Sequence, residues 1–141
     1  MRIFSCLALL AAIVTACHSG ETFKVRFDGY YQSVDESFRI GKDTARMFLR
    51  FFPNGQVISV TSTGTAFQIT SWFNSRNKNV STGNYNVSTN WLDFTSTSKS
   101  GSVIYKGKIV DENHLDLNVK SLINGHESNE KYSFIKVPDL K

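Results

Sequence analysis

Cysteine, proline and histidine are scarce: two, two and three of 141 residues. So few cysteines exclude a disulfide scaffold, which needs several pairs. The near absence of proline leaves extended runs unbroken and excludes proline-rich or collagen-like architectures. His18, His114 and His126 fall beside a cysteine, on a strand face and in a turn. With no paired acidic ligands at a motif spacing, neither a metal nor a cofactor is expected. Gly-x-Ser-x-Gly is missing, Asp35-Glu36 are adjacent and Asp111-Glu112 lie in a turn, so no catalytic pair is expected and the chain reads as a non-enzyme. Lys and Arg exceed Asp and Glu by 16 to 12, but they are scattered rather than gathered in a stripe, so nucleic acid is excluded as a partner.

What is present begins with "MRIFSCLALLAAIVTACHSG". One basic residue, an apolar run from Ile3 to Val14 and then small residues make the layout of a secretory signal, too short to span a bilayer comfortably. Val14-Thr15-Ala16-Cys17 resembles the lipobox of bacterial lipoproteins. That resemblance implies cleavage before Cys17, lipid on Cys17 and residence in the bacterial cell envelope. Because His18 rather than an aspartate follows, it also implies the outer membrane, facing the periplasm. The expected organisation is a signal peptide over 1–16, a lipidated tether over 17–23 and one β-barrel domain over 24–141. Cys6 would leave with the signal, so the mature domain must rely on its core rather than on a disulfide.

The remainder alternates with period two and is punctuated by Asn, Gly, Asp and Ser, the all-β pattern. Strands are expected at 24–34, 46–53, 56–63, 82–88, 91–98, 102–110, 114–121 and 130–137. About eight strands in sequential hairpins predict an antiparallel up-and-down barrel. "SVIYKGKIV" sets Val103, Tyr105, Gly107 and Ile109 against Lys106 and Lys108, while "HLDLNVK" sets Leu115, Leu117 and Val119 against Asp116, Asn118 and Lys120. Each strand has one dry and one wet face.

Between the third and fourth expected strands, residues 65–83 break the rhythm. Phe67, Ile69, Trp72 and Phe73 have spacings suited to one face of a short helix started by Thr65, and the segment is expected to form a short helix or a lid closing one end of the barrel. In the hairpin "MFLRFFPNGQVISVTST", Met47, Leu49 and Phe51 share a face and Gly55 suits the turn, while Arg50 is expected to point towards solvent.

The "FDGYYQS" strand, the meander and the lack of a catalytic cluster are similar to a lipocalin-like, or calycin, barrel behind a lipoprotein signal. Gly29-Tyr30-Tyr31 stands where lipocalins carry glycine, one residue and tryptophan. The resemblance implies a container fold. Tyr31, Trp72, Phe73, Tyr85, Trp91, Tyr105 and Tyr132 are the candidate ligand-binding residues, since a barrel of about eight strands is either filled by side chains or holds one small molecule. Two functions follow: an anchored module for a small apolar ligand, or a solid barrel that contacts another envelope protein as an inhibitor or assembly factor.

Overall fold

The computed structural model describes residues 22–35 and 38–140. The expected signal peptide and Cys17 lie outside the described residues. Nine strands are present among them: β1 Gly29–Ser33, β2 Phe38–Ile40, β3 Asp43–Phe51, β4 Gln56–Ser62, β5 Ser81–Ser88, β6 Trp91–Ser98, β7 Gly101–Asp111, β8 His114–Ser121 and β9 Glu127–Lys136. The sheet order is β1-β9-β8-β7-β6-β5-β4-β3-β2, and β1 also pairs with β3. Eight strands therefore close into an antiparallel barrel, with β2 as an extra strand paired to β3 residues 43–45. Closure at the β1–β3 seam is brief, pairing Tyr31 with Leu49 and Gln32 with Phe48. Beyond it the Met47 amide donates to Ser33 Oγ at 3.0 Å, so a side chain extends the seam where the ladder stops.

Alternation decides which residues face in. Leu92, Gly107, Leu117 and Glu130 pair across four neighbouring strands, and Phe94, Tyr105, Val119 and Ser128 form the next such row. The interior cluster combines the apolar members of these rows with Tyr31, Leu49, Phe51, Val57, Ile109, Leu115 and Tyr132. The opposite faces of β7–β9 carry Lys106, Lys108, Asp116, Lys120 and Lys131, all exposed. This is the reverse of a membrane-spanning barrel, whose outer band is apolar.

Strands β3 and β4 are the exception, because both their faces are apolar. A second core lies outside the barrel, where Tyr30, Phe48, Ile58 and Val60 meet Ala66, Ile69, Phe73 and Val137. The segment after β4 supplies this cover. Thr65 and Gln68 cap it reciprocally: the Thr65 amide donates to Gln68 Oε1 at 2.8 Å and the Gln68 amide approaches Thr65 Oγ1 at 3.4 Å. One 3₁₀ turn follows at Thr70–Phe73. The short helix expected from the sequence is thus present, but the idea that it closes an end of the barrel is corrected: it lies along the outer wall. The cause is the apolar outer face of β3–β4, which must itself be covered.

Arg50 is corrected for the same reason. It does point away from the interior, yet it is only 6% exposed, because its Nη1 donates to the Phe73 carbonyl at 2.6 Å and its guanidinium lies 4.5 Å from the Phe52 ring centroid. The expected first strand is also shortened, since residues 24–28 precede β1 and cross one end of the barrel instead.

Candidate functional site

The two ends of the barrel differ. At one, the β3–β4, β5–β6 and β7–β8 turns gather around residues 23–28. Val25 is buried in the interior cluster with Phe23 packed against it. The Tyr31 hydroxyl accepts from the Arg26 amide at 2.9 Å and donates to the Glu112 carbonyl at 2.8 Å. The Arg26 guanidinium sits 4.1 Å from the Phe134 ring centroid, donates to Asn113 Oδ1 at 2.7 Å and pairs with Asp28 at 2.8 Å. These hydrogen bonds from Arg26 hold the Asp28 carboxyl below its ordinary range. An N-terminal plug thus seals this end.

Behind the plug the rings interlock. Tyr31 meets Phe134 edge-on at 5.0 Å and Phe51 at 5.7 Å; Phe51 meets Tyr85 at 5.1 Å and Phe94 at 5.7 Å; Phe94 stacks on Tyr105 at 4.5 Å. These are favoured aromatic geometries, and they occupy the space between the walls. Burial pushes the Tyr31 phenol up to about 12. It also raises Tyr105, against the opposing effect of a hydrogen bond to Ser59.

The other end, formed by the β6–β7 and β8–β9 turns with the end of β4 and the start of β5, is polar inside. Ser59 Oγ and the Tyr105 hydroxyl are 2.9 Å apart, Ser81 and Ser96 Oγ 2.6 Å, and Ser128 donates to Glu130 Oε1 at 2.7 Å. Glu130 pairs with the inward Leu117 and is only 5% exposed. Tyr132 is raised well above the ordinary phenol range, first by burial and then by Tyr105 and Glu130 beside it. Met47, Ser59, Ser81, Val103 and Ser128 also face inward, yet they are half-buried rather than sealed. This end is therefore open to water.

The aromatic residues singled out from the sequence divide. Tyr31, Tyr85, Tyr105 and Tyr132 come together in or beside the interior cluster. Phe73 is buried in the outer core, stacked on Tyr30. Trp72 and Trp91 are 48% and 45% exposed on the outside, Trp91 opposite Lys108 on β7. Sequence reasoning missed Arg26 as a plug and Glu130 as an interior group. The signal for Glu130 was there: in "SNEKYSF" it lies two residues before Tyr132, on the same strand face.

Among the described residues no group of three or more His, Cys, Asp and Glu side chains stands close enough to hold a metal ion. His114 pairs with Asp111 at 2.8 Å on the surface, and His18 lies outside the described residues. A surface cleft of about 590 Å³ runs along the outer wall between Val34, Val110, His114, Asp116, Lys131 and Ser133.

Closed, eight-stranded, antiparallel and almost free of helix, the chain has an architecture consistent with the calycin-like class of barrels. Comparison with family models, curated proteins and solved structures gives no match.

Proposed function

We propose that this is a lipid-anchored protein of the bacterial cell envelope that works by contact, as an inhibitor or assembly factor, and carries out no chemistry of its own. One observation favours contact over capture of an apolar ligand. The run of rings from Phe134 through Tyr31, Phe51 and Phe94 to Tyr105 takes up the interior that such a ligand would need. Apolar area already buried inside the protein yields nothing further on binding. Of the Trp72-Phe73 pair, which would have served as a lid, Phe73 packs on the outer wall and Trp72 is exposed.

The anchor reading rests on the lipobox-like Val14-Thr15-Ala16-Cys17. A diacylglycerol with a further acyl chain such as palmitate exceeds the two lipid signals that stable anchoring requires. In an expressing bacterium the full chain should fractionate with washed membranes and carry the lipid mass on Cys17, whereas Cys17→Ala should not. Unmodified Cys17 in mature protein would overturn the anchor.

The contact reading is tested on the anchored protein in mild detergent with fatty acids, retinoid-like compounds and quinones. No compound should raise the melting temperature in a saturable way. A saturable rise would return the barrel to the ligand carriers.

A further inference from the structure

The open end holds a group that neither the packing nor the proposed contact role explains. Glu130 is a carboxyl inside an aromatic barrel, 5% exposed, in a pairing row whose other members are Leu117, Gly107 and Leu92. Its hydrogen-bond partner is the Ser128 hydroxyl. Neither the Arg26–Asp28 nor the His114–Asp111 ion pair involves Glu130. Arg46 and Arg50 belong to the outer face of β3, on the side of Phe48. A buried carboxylate without a cation is unfavourable, and an apolar residue would pack there at less cost. A buried carboxyl that fold stability does not account for is the kind of polar group that orients a ligand in an otherwise apolar site.

The surroundings show what would bind. The Ser128 hydroxyl donates to the carboxyl, and Tyr132, which feels its charge, turns its own hydroxyl to Met47 Sδ at 3.8 Å; both hydroxyls accept as well as donate. Access comes through the half-buried Met47, Ser59, Val103 and Ser128. We infer that the open end of the barrel is a site for a single organic cation, an alkylammonium or guanidinium group, seated on Glu130 with its charge against the carboxylate and its N–H groups on the neighbouring hydroxyls. The stem of the cation would lie between Met47 and Val103. Such a group is carried by small amines and guanidines and also by lysine and arginine side chains of a protein partner. The inference does not depend on the contact role proposed above.

The full chain, in mild detergent, is titrated with n-butylguanidinium and n-butylammonium chloride, with n-butanol as the uncharged control, and backbone amide resonances are followed by NMR. Saturable shifts at residues 128–132 and at Tyr105 are expected from the cations and not from butanol. Glu130→Gln, which keeps shape and hydrogen bonding, should weaken binding at least tenfold, and Glu130→Leu should abolish it while keeping the amide spectrum folded. A short peptide with one arginine, compared with the same peptide carrying citrulline, separates the sources. Tighter binding of the arginine peptide than of butylguanidinium places the cation on a protein, equal binding places it on a small molecule, and both uphold the site. Absence of saturation with all three cations, or affinity unchanged in Glu130→Gln, overturns it and leaves the contact reading standing. A lipophile that saturates the interior would instead overturn the contact reading alone.

Discussion

Tyr30 on β1 and Phe73 on the segment after β4 stack face to face, with ring centroids 4.3 Å apart and planes 25° from parallel. Their contact fastens a long connection to the outside of the barrel wall. The Tyr30 hydroxyl is buried there with no hydrogen-bond partner among the described residues, so it adds desolvation cost without return.

Neighbouring residues of that connection should therefore behave oppositely. Phe73→Ala should cost about 3–5 kcal/mol. Trp72→Phe, at an exposed position, should stay within about 0.5 kcal/mol of the parent. Tyr30→Phe should be neutral or stabilising. Urea titrations of the three variants decide it, and a large loss for Trp72→Phe would place the tryptophan in the core.

On β8 the test is of register. Leu117→Ala should lose about 2–5 kcal/mol, since Leu117 is fully buried in the interior. Asp116→Ala, paired with Lys131 on the wet face, should lose no more than about 0.5 kcal/mol. Similar midpoints for the two variants in a denaturant titration would reverse the two faces of the strand.

The plug makes a separate prediction. Arg26→Ala removes the contact with Phe134 and the hydrogen bond to Asn113, and should cost about 1–3 kcal/mol. Arg26→Lys should recover only part of this, because an ammonium cannot match the two-pronged contact with Asp28. Hydrogen exchange should rise first at residues 25–31; unchanged protection there would mean that the barrel end holds without Arg26.

Alkaline pH should unfold the protein through its phenols. Tyr31 is raised to about 12 and Tyr105 and Tyr132 are also raised, all by burial, so the folded state keeps protons that the unfolded state releases near pH 10. The unfolded state then binds fewer protons, and stability falls as pH rises from about 10 towards 12, by at most about 1.4 kcal/mol per pH unit for each phenol. Below pH 10 these groups contribute no slope. Tyr31→Phe should flatten the decline even though it lowers the starting stability, and an unaltered slope would show that its phenol is wet.

The second half of the barrel was readable from the sequence because each strand there has one apolar face. Val103, Tyr105 and Ile109 against Lys106 and Lys108 allow one register only, and 114–121 came out to the residue. The first half was harder for the converse reason. In "MFLRFF" both faces are apolar, so alternation cannot say which is inside, and Phe48 went unrecognised as part of an outer core. Arg50 looked exposed because its cover, the Phe73 carbonyl, is 23 residues away in sequence. Likewise, nothing local marks Val25 as interior or residues 24–28 as a crossing segment, since Asn113, the partner of Arg26, belongs to a distant turn. Of the candidate site, the interior tyrosines were visible as inward positions, whereas Glu130 was overlooked because a charged residue is ordinarily assigned to the wet face.

The place of β1 has a consequence for the timing of biosynthesis. Its neighbours are β3 and β9, with Gly29 opposite Lys136 and Ser33 opposite Tyr132, so one edge of the first strand waits for residues about a hundred positions later. A chain emerging in order cannot complete the ring until β9 has been made; until then it is an open sheet with two raw edges. Stopping the chain before residue 127 would yield no smaller barrel, only a ribbon prone to stick to its neighbours. Late completion also keeps the chain open and threadable until its ninth strand is made.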